Sequence, residues 1–121
     1  MMDVENVGQV YLALGATDMR RSIDGLSAIV SAVFELNPFS NAWFVFCGKR
    51  KDRLKILRWD CNGFWLYYRR LEKGRFKWPE RSEVRSDKPL SISRRQLNWL
   101  LDGLTIEQAE SHRPVKASIV V

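Results

Sequence analysis

The chain has one histidine, His112, and two cysteines, Cys47 and Cys61. A zinc site draws about four closely spaced Cys, His or carboxylate ligands, so this inventory predicts no metal. Two cysteines permit one disulfide, but without a secretory leader both are expected as reduced thiols. Residues 1–10 carry Asp3 and Glu5 where a leader would have a basic start and an apolar run. No stretch approaches the roughly 20 apolar residues of a membrane-spanning helix. The expectation is a soluble, cytoplasmic protein with no membrane contact.

Chemistry is equally sparse. His112 stands alone and no nucleophile elbow surrounds any serine, which argues against a catalytic triad. Gly48, Gly63 and Gly74 are single turn glycines, not a phosphate-cradling loop. A metal-dependent nuclease needs two or three carboxylates gathered around divalent ions. Asp18, Asp24, Asp60 and Glu72 qualify by type only. Asp18 and Asp60 flank turns, where a carboxylate caps backbone N–H groups, and Glu72 reads as a turn charge beside Lys73. The sequence thus predicts no enzyme, no catalytic residue and no cofactor.

What the chain does have is apolar and aromatic content. At 121 residues, 45% apolar and 12% aromatic, it can bury one core and has no length for two. A single domain is expected, with a core over about 9–105 and a tail over about 111–121. Gln9 to Leu14 reads as a short strand, closed by Gly15 and a polar turn. Ile23, Leu26, Ile29, Val30, Val33 and Phe34 recur at three- and four-residue steps, the stripe of an amphipathic helix. Ser22 is its predicted N-cap, Asp24 suits its dipole, and Asn37-Pro38 is expected to end it. Gly25 suggests a close backbone approach.

From Trp43 the pattern becomes strands: Trp43–Cys47, Arg53–Asp60, Phe64–Leu71 and Arg75–Trp78. Asn62-Gly63 is a hairpin pair, Lys73-Gly74 a turn, and Pro79 a stop. Glu80 to Pro89 reads as irregular. Ser93 then caps a second helix, with Gln96 completing a capping box, Leu97, Leu100, Leu101 and Leu104 as its apolar side, and Gly103 as its stop. The predicted class is α+β: an antiparallel sheet of about four or five strands, the long helix on one face, the C-terminal helix at an edge.

The charge is unevenly placed. The net charge is +6, with a pI of about 9.7, which favours an acidic partner, nucleic acid first. Residues 49–81 hold 12 Lys and Arg against 4 Asp and Glu, so the whole excess lies in the strand region. Side chains alternate across a strand, which puts Arg53, Lys55, Leu57 and Trp59 on one face, and Trp65, Tyr67 and Arg69 on one face of the next strand. A sheet with one buried side and one basic, aromatic side would neutralise phosphates and stack on bases. Arg53, Lys55, Arg58, Arg69, Arg70 and Arg75 are the predicted phosphate contacts, with Trp59, Trp65 and Tyr67 as stacking groups. The same residues also describe an ordinary solvated face, with long basic stems lying over core rings. Arg94 and Arg95, in the first turn of the second helix, could touch a phosphate backbone.

Blocks in fixed order carry a family resemblance: Tyr11-Leu12, Gly15-Ala16-Thr17-Asp18-Met19-Arg20, Ile23-Asp24-Gly25-Leu26, Pro38-Phe39-Ser40 and Phe44-Val45-Phe46. They continue through Arg53-Leu54-Lys55-Ile56-Leu57, Trp59-Asp60, Gly63-Phe64 and the run from Arg70-Leu71-Glu72-Lys73-Gly74-Arg75 to Phe76-Lys77-Trp78-Pro79. Over about residues 9–80 the chain resembles the small accessory TnpB protein, the second-open-reading-frame product, of the sixty-six family of bacterial insertion sequences. The resemblance implies a role in transposition beside a separate, larger transposase, and it brings no catalytic residues. Two readings follow: a factor that binds DNA through the basic sheet, or an adaptor that docks on the transposase without touching DNA. In the second, the turn from Gly15 to Arg21, with Asp18, Met19 and Arg20, is the expected partner surface. The oligomeric state is left open.

Overall fold

The β-branched and aromatic runs become strands and the three-and-four stripe becomes a helix. The computed structural model describes residues 8–80 and 87–107. Its elements are β1 (Val10–Leu12), α1 (Ile23–Ala32), β2 (Trp43–Cys47), β3 (Arg53–Asp60), β4 (Gly63–Arg70), β5 (Leu90–Ile92) and α2 (Arg94–Leu101). The strands form one sheet in the order β4-β3-β2-β1-β5. The class is α+β, as the sequence predicts, but the sheet is mixed. β1 pairs parallel with β2, and α1 lies in the crossover that parallel pairing requires. The other pairs are antiparallel.

Two strand assignments change. Arg75–Trp78 is not a fourth strand of the meander. After Gly74, at φ +80°, the chain wraps over the end of the sheet: the Phe76 N–H donates to the Lys51 carbonyl at 2.7 Å. Phe76 and Trp78 thereby bury almost completely, which a half-exposed sheet edge would not allow. The Trp78 indole N–H closes the wrap by donating to the Ala13 carbonyl at 2.8 Å. The strand that the sequence did not reveal is β5, only three residues long, pairing antiparallel with β1 at the far edge.

Both faces of the sheet are covered over its central strands, where one solvated side was expected, while β4 has no fully buried residue. On one face Leu26 and Val30 of α1, with Phe34, pack on Phe44, Phe46 and Leu57. On the other, Leu97 and Leu100 of α2, together with Phe76 and Trp78, pack with Val10, Leu12, Val45, Leu54 and Ile56. The second helix is therefore a cover for the opposite face and not an edge element. All five residues of β2 are buried, as befits a central strand covered on both sides.

The caps are read well at α2 and less well at α1. The Ser93 hydroxyl accepts the Gln96 N–H, and the Gln96 side chain accepts the Ser93 N–H, the predicted capping box. Gly103, at φ +86°, ends α2, with Leu104 N–H reaching the Trp99 carbonyl and Gly103 N–H the Leu100 carbonyl. Ser22 is the N-cap residue of α1 but makes no side-chain cap bond. That helix stops before Asn37-Pro38, because Glu35 already takes the left-handed conformation at φ 58°. At Gly25 the nearest neighbours of an added Cβ would be atoms of the Arg21 side chain, from 3.3 Å, and not the backbone of another element. The hairpin turn falls at Cys61-Asn62, with Cys61 at φ 61° and Gly63 opening β4 opposite Asp60. His112 and the apolar run 117–121 lie outside the described residues.

Candidate nucleic-acid interface

Strand register decides which cations meet. β3 and β4 run antiparallel with Arg53 opposite Arg70 and Leu54 opposite Arg69, so the start of one strand and the end of the other share one end of the sheet. The β2–β3 loop, Lys49 to Asp52, sits at this end, since β2 finishes at Cys47 opposite Leu54. The wrap returns here too: the Leu71 N–H donates to Asp52 O at 2.7 Å, beside the Phe76 contact to Lys51, which places Arg75 nearby. Five of the predicted phosphate contacts, Arg53, Lys55, Arg69, Arg70 and Arg75, are thus gathered at one end of the molecule. They form an end surface and not a sheet face.

The turn from Gly15 to Arg21 joins the same end. Thr17 N–H donates to the Cys47 carbonyl at 2.8 Å, continuing the path of β1 along β2. Met19 then lies over Gly48, where a Cβ would stand 2.7 Å from the Met19 Cγ, so any larger residue there would force the Met19 side chain to shift. Between turn and loop runs a groove lined by Asp18, Met19, Arg20, Lys49, Arg50 and Arg53. Residues predicted for a protein partner and for DNA therefore line one groove. Lys49 and Arg50 were legible only as a basic loop; the tight run Lys49-Arg50-Lys51 beside a strand end is the signal that marks them.

Which charges are free differs sharply from residue to residue. Arg20 and Asp18 close on each other, Nε to Oδ1 at 3.0 Å and a second nitrogen to Oδ2 at 2.9 Å, while the Arg20 backbone N–H also donates to Oδ1. These bonds from Arg20 lower the Asp18 carboxyl to about 2. The expected backbone-capping role of Asp18 is thus present and is joined by an ion pair. Lys55 donates from Nζ to the Arg21 carbonyl at 2.7 Å and lies over the Tyr68 ring, so it ties the turn to β3. Arg70 pairs with Glu72 at 3.1 Å, and Arg53 contacts Asp52 more loosely at 3.8 Å. Lys49, Arg50, Arg69 and Arg75 are exposed and form no ion pair among the described residues.

The remaining predicted contacts lie elsewhere. Arg58 pairs opposite Trp43, toward the hairpin, and its guanidinium sits 5.7 Å from that ring. This cation–π contact occupies it locally. Trp59, on the α1 face, packs edge-on to Phe39 and Phe64 at 5.0 Å each. Trp65 and Tyr67 stack on the opposite face, rings 6.1 Å apart and nearly parallel, and Tyr67 also stacks on buried Trp43. Asp60 accepts from the Trp65 indole N–H at 3.2 Å, so its side chain serves a ring and not the turn backbone as expected. Roughly 20 Å of strand separates Arg53 from Trp59. Trp59 and Phe64 lie on the α1 face near the hairpin, away from the free cations, whereas Trp65 and Tyr67 share the opposite face of β4 with Arg69.

Among the described residues no three of His, Cys, Asp and Glu converge to hold a metal ion, and no helix is long and apolar enough to cross a membrane. Cys47 is buried and Cys61 exposed, both as free thiols.

Comparison with known proteins assigns the chain to a family. The family model described as "IS66 Orf2 like protein" matches residues 8–111. The chain belongs to this family, which ties it to an insertion sequence and to transposition. It is similar to "Uncharacterized protein y4hO" of Sinorhizobium fredii (strain NBRC 101917 / NGR234), 37% identical over 109 residues, covering 89% of this chain and 91% of that one. It is also similar to "Uncharacterized protein y4jC" of the same strain, 32% identical over 108 residues, covering 89% and 88%. No solved structure matches.

Proposed function

We propose that this member of the IS66 Orf2-like family is a non-catalytic accessory factor of transposition that binds DNA through the basic end of its sheet. The observation that carries the reading is the convergence there of Lys49, Arg50, Arg69 and Arg75, which are exposed and without ion pairs among the described residues. Each free cation that meets a phosphate releases condensed counterions, so binding should be steeply salt-dependent. The groove beside Met19 supplies the concave part of this surface, with Arg53 and Arg50 on its rim. Arginine suits the role because its planar fork bonds a phosphate through two nitrogens. The separate transposase of the same element is the proposed protein partner, and it would carry the chemistry.

Fluorescence anisotropy on element-end and scrambled duplexes, across a salt series, tests the proposal. The logarithm of affinity should fall linearly with the logarithm of salt, with a slope of about −0.9 per phosphate neutralised. Replacing Lys49, Arg50 and Arg69 by alanine should flatten that slope by roughly 0.9 for each phosphate left without its cation. A folded triple variant with unchanged affinity and slope would refute the surface. A second reading, docking on the transposase alone, rests on the Asp18–Arg20 pair, which presents a fixed shape beside Met19. Absence of binding to either duplex at low salt would favour it.

A further inference from the structure

The sheet has two edges, and the chain treats them differently. β5 is three residues long and follows Pro89, which keeps that edge short. β4 runs for eight residues, in unbroken register with β3 from Gly63 opposite Asp60 to Arg70 opposite Arg53. It contains no proline and no bulge, and Gly63 to Tyr68 carry no charge. Among the described residues no strand pairs with its outer side. A long, straight, uncharged edge leaves alternate N–H and C=O groups open and is a ready template for another strand. Its two exposed rings stand on opposite faces: Trp65 is 48% and Tyr68 53% exposed.

We propose that β4 pairs antiparallel with β4 of a second copy of this chain, joining the two sheets into one. The proposal shares Arg69 with the DNA reading but is carried by the edge of the sheet, whereas that reading is carried by its end. A twofold axis normal to the sheet preserves its faces, so residues opposite each other must belong to the same face. With Tyr67 on the axis, Trp65 stands opposite Arg69 of the second copy, Phe64 opposite Arg70, and Leu66 opposite Tyr68.

Every cation then meets a ring, an attractive cross-strand arrangement, and none meets its own kind. Along the strand the two Arg70 residues lie about 20 Å apart. Parallel pairing would set Arg69 and Arg70 directly against their copies, which like charges disfavour. The order of residues in β4, rings first and cations last, is self-complementary only in the antiparallel sense.

Sedimentation equilibrium on the full chain, across concentrations from about 1 µM to 1 mM, reads the mass directly. A dimer of the 14.2 kDa chain is expected. Hydrogen exchange should show the outward-facing amides of β4 protected along with those facing β3. Tyr68→Glu places a carboxylate opposite Leu66 of the second copy and should weaken the dimer at least tenfold and free those amides, while Tyr68→Phe keeps both. Should Tyr68→Glu fail to fold, Trp65→Lys, which sets a cation opposite Arg69 of the second copy and should likewise weaken the dimer, and the exchange pattern of the unaltered chain serve in its place. A monomer across the range overturns the proposal, whether its β4 edge exchanges freely or is protected by residues 108–121. A dimer whose outward β4 amides exchange freely overturns it as well.

Discussion

Trp78→Phe removes the side-chain hydrogen bond that ties the wrap after β4 to Ala13, just past β1. The indole N–H donates to the Ala13 carbonyl at 2.8 Å, and both residues are nearly inaccessible, at 6% and 5%. Phenylalanine keeps an aromatic ring in the site but leaves that carbonyl without its donor. A buried group so orphaned costs about 1–3 kcal/mol. The smaller ring also leaves a void in the cluster around Leu97 and Leu100, adding on the order of 1 kcal/mol. The total is roughly 2–4 kcal/mol. For a domain near 100 residues, each kcal/mol lowers Tm by about 4–8 °C, so a fall of at least about 8 °C is expected. Calorimetry or thermal circular dichroism measures it. A fall below about 2 °C would mean that the wrap is held by Phe76 and the backbone alone, and that the indole bond contributes nothing net.

Two further outcomes test the packing more locally. Gly48→Ala should destabilise by about 1–3 kcal/mol, because its Cβ would stand 2.7 Å from the Met19 Cγ. Met19→Ala should relieve most of that cost in the double variant, and additive effects in a double-mutant cycle by urea unfolding would contradict the contact. Thiol alkylation at pH 8 should modify Cys61 promptly and Cys47 only on unfolding, because burial pushes the Cys47 thiol up to about 11. The raised value also makes stability fall as pH rises from about 9 toward 11, since only the unfolded chain ionises there. Equal labelling of both cysteines in the folded protein, read by mass spectrometry, would contradict the burial of β2.

Local chemistry was legible in the residues themselves. The stripe of α1, the Ser93–Gln96 box, the Gly103 stop and the β3–β4 hairpin depend on neighbours within a few positions, and each stands near where the sequence placed it. The continuous apolar run of β2 fitted a buried strand, and all five of its residues are buried. The clustering of cations in residues 49–81 was legible too, as a property of composition.

What only the tertiary structure decided was where those cations face. Alternation along β3 correctly grouped Arg53, Lys55, Leu57 and Trp59, but a period of two says which residues share a face and not what covers it. The cover on each face comes from distant segments, α1 on one side and Phe76, Trp78 and α2 on the other. With the faces of β1 to β3 covered, the exposed basic side chains lie at the loops and along β4. The antiparallel register of β3 with β4 then sets Arg53 against Arg70 and gathers the charge at one end. Arg58 shows the same rule from the other side: set opposite Trp43, it directs its charge at a ring. Residue type and spacing determined the elements, and the burial of apolar surface by segments far apart in the chain determined which of their side chains remain available to a partner.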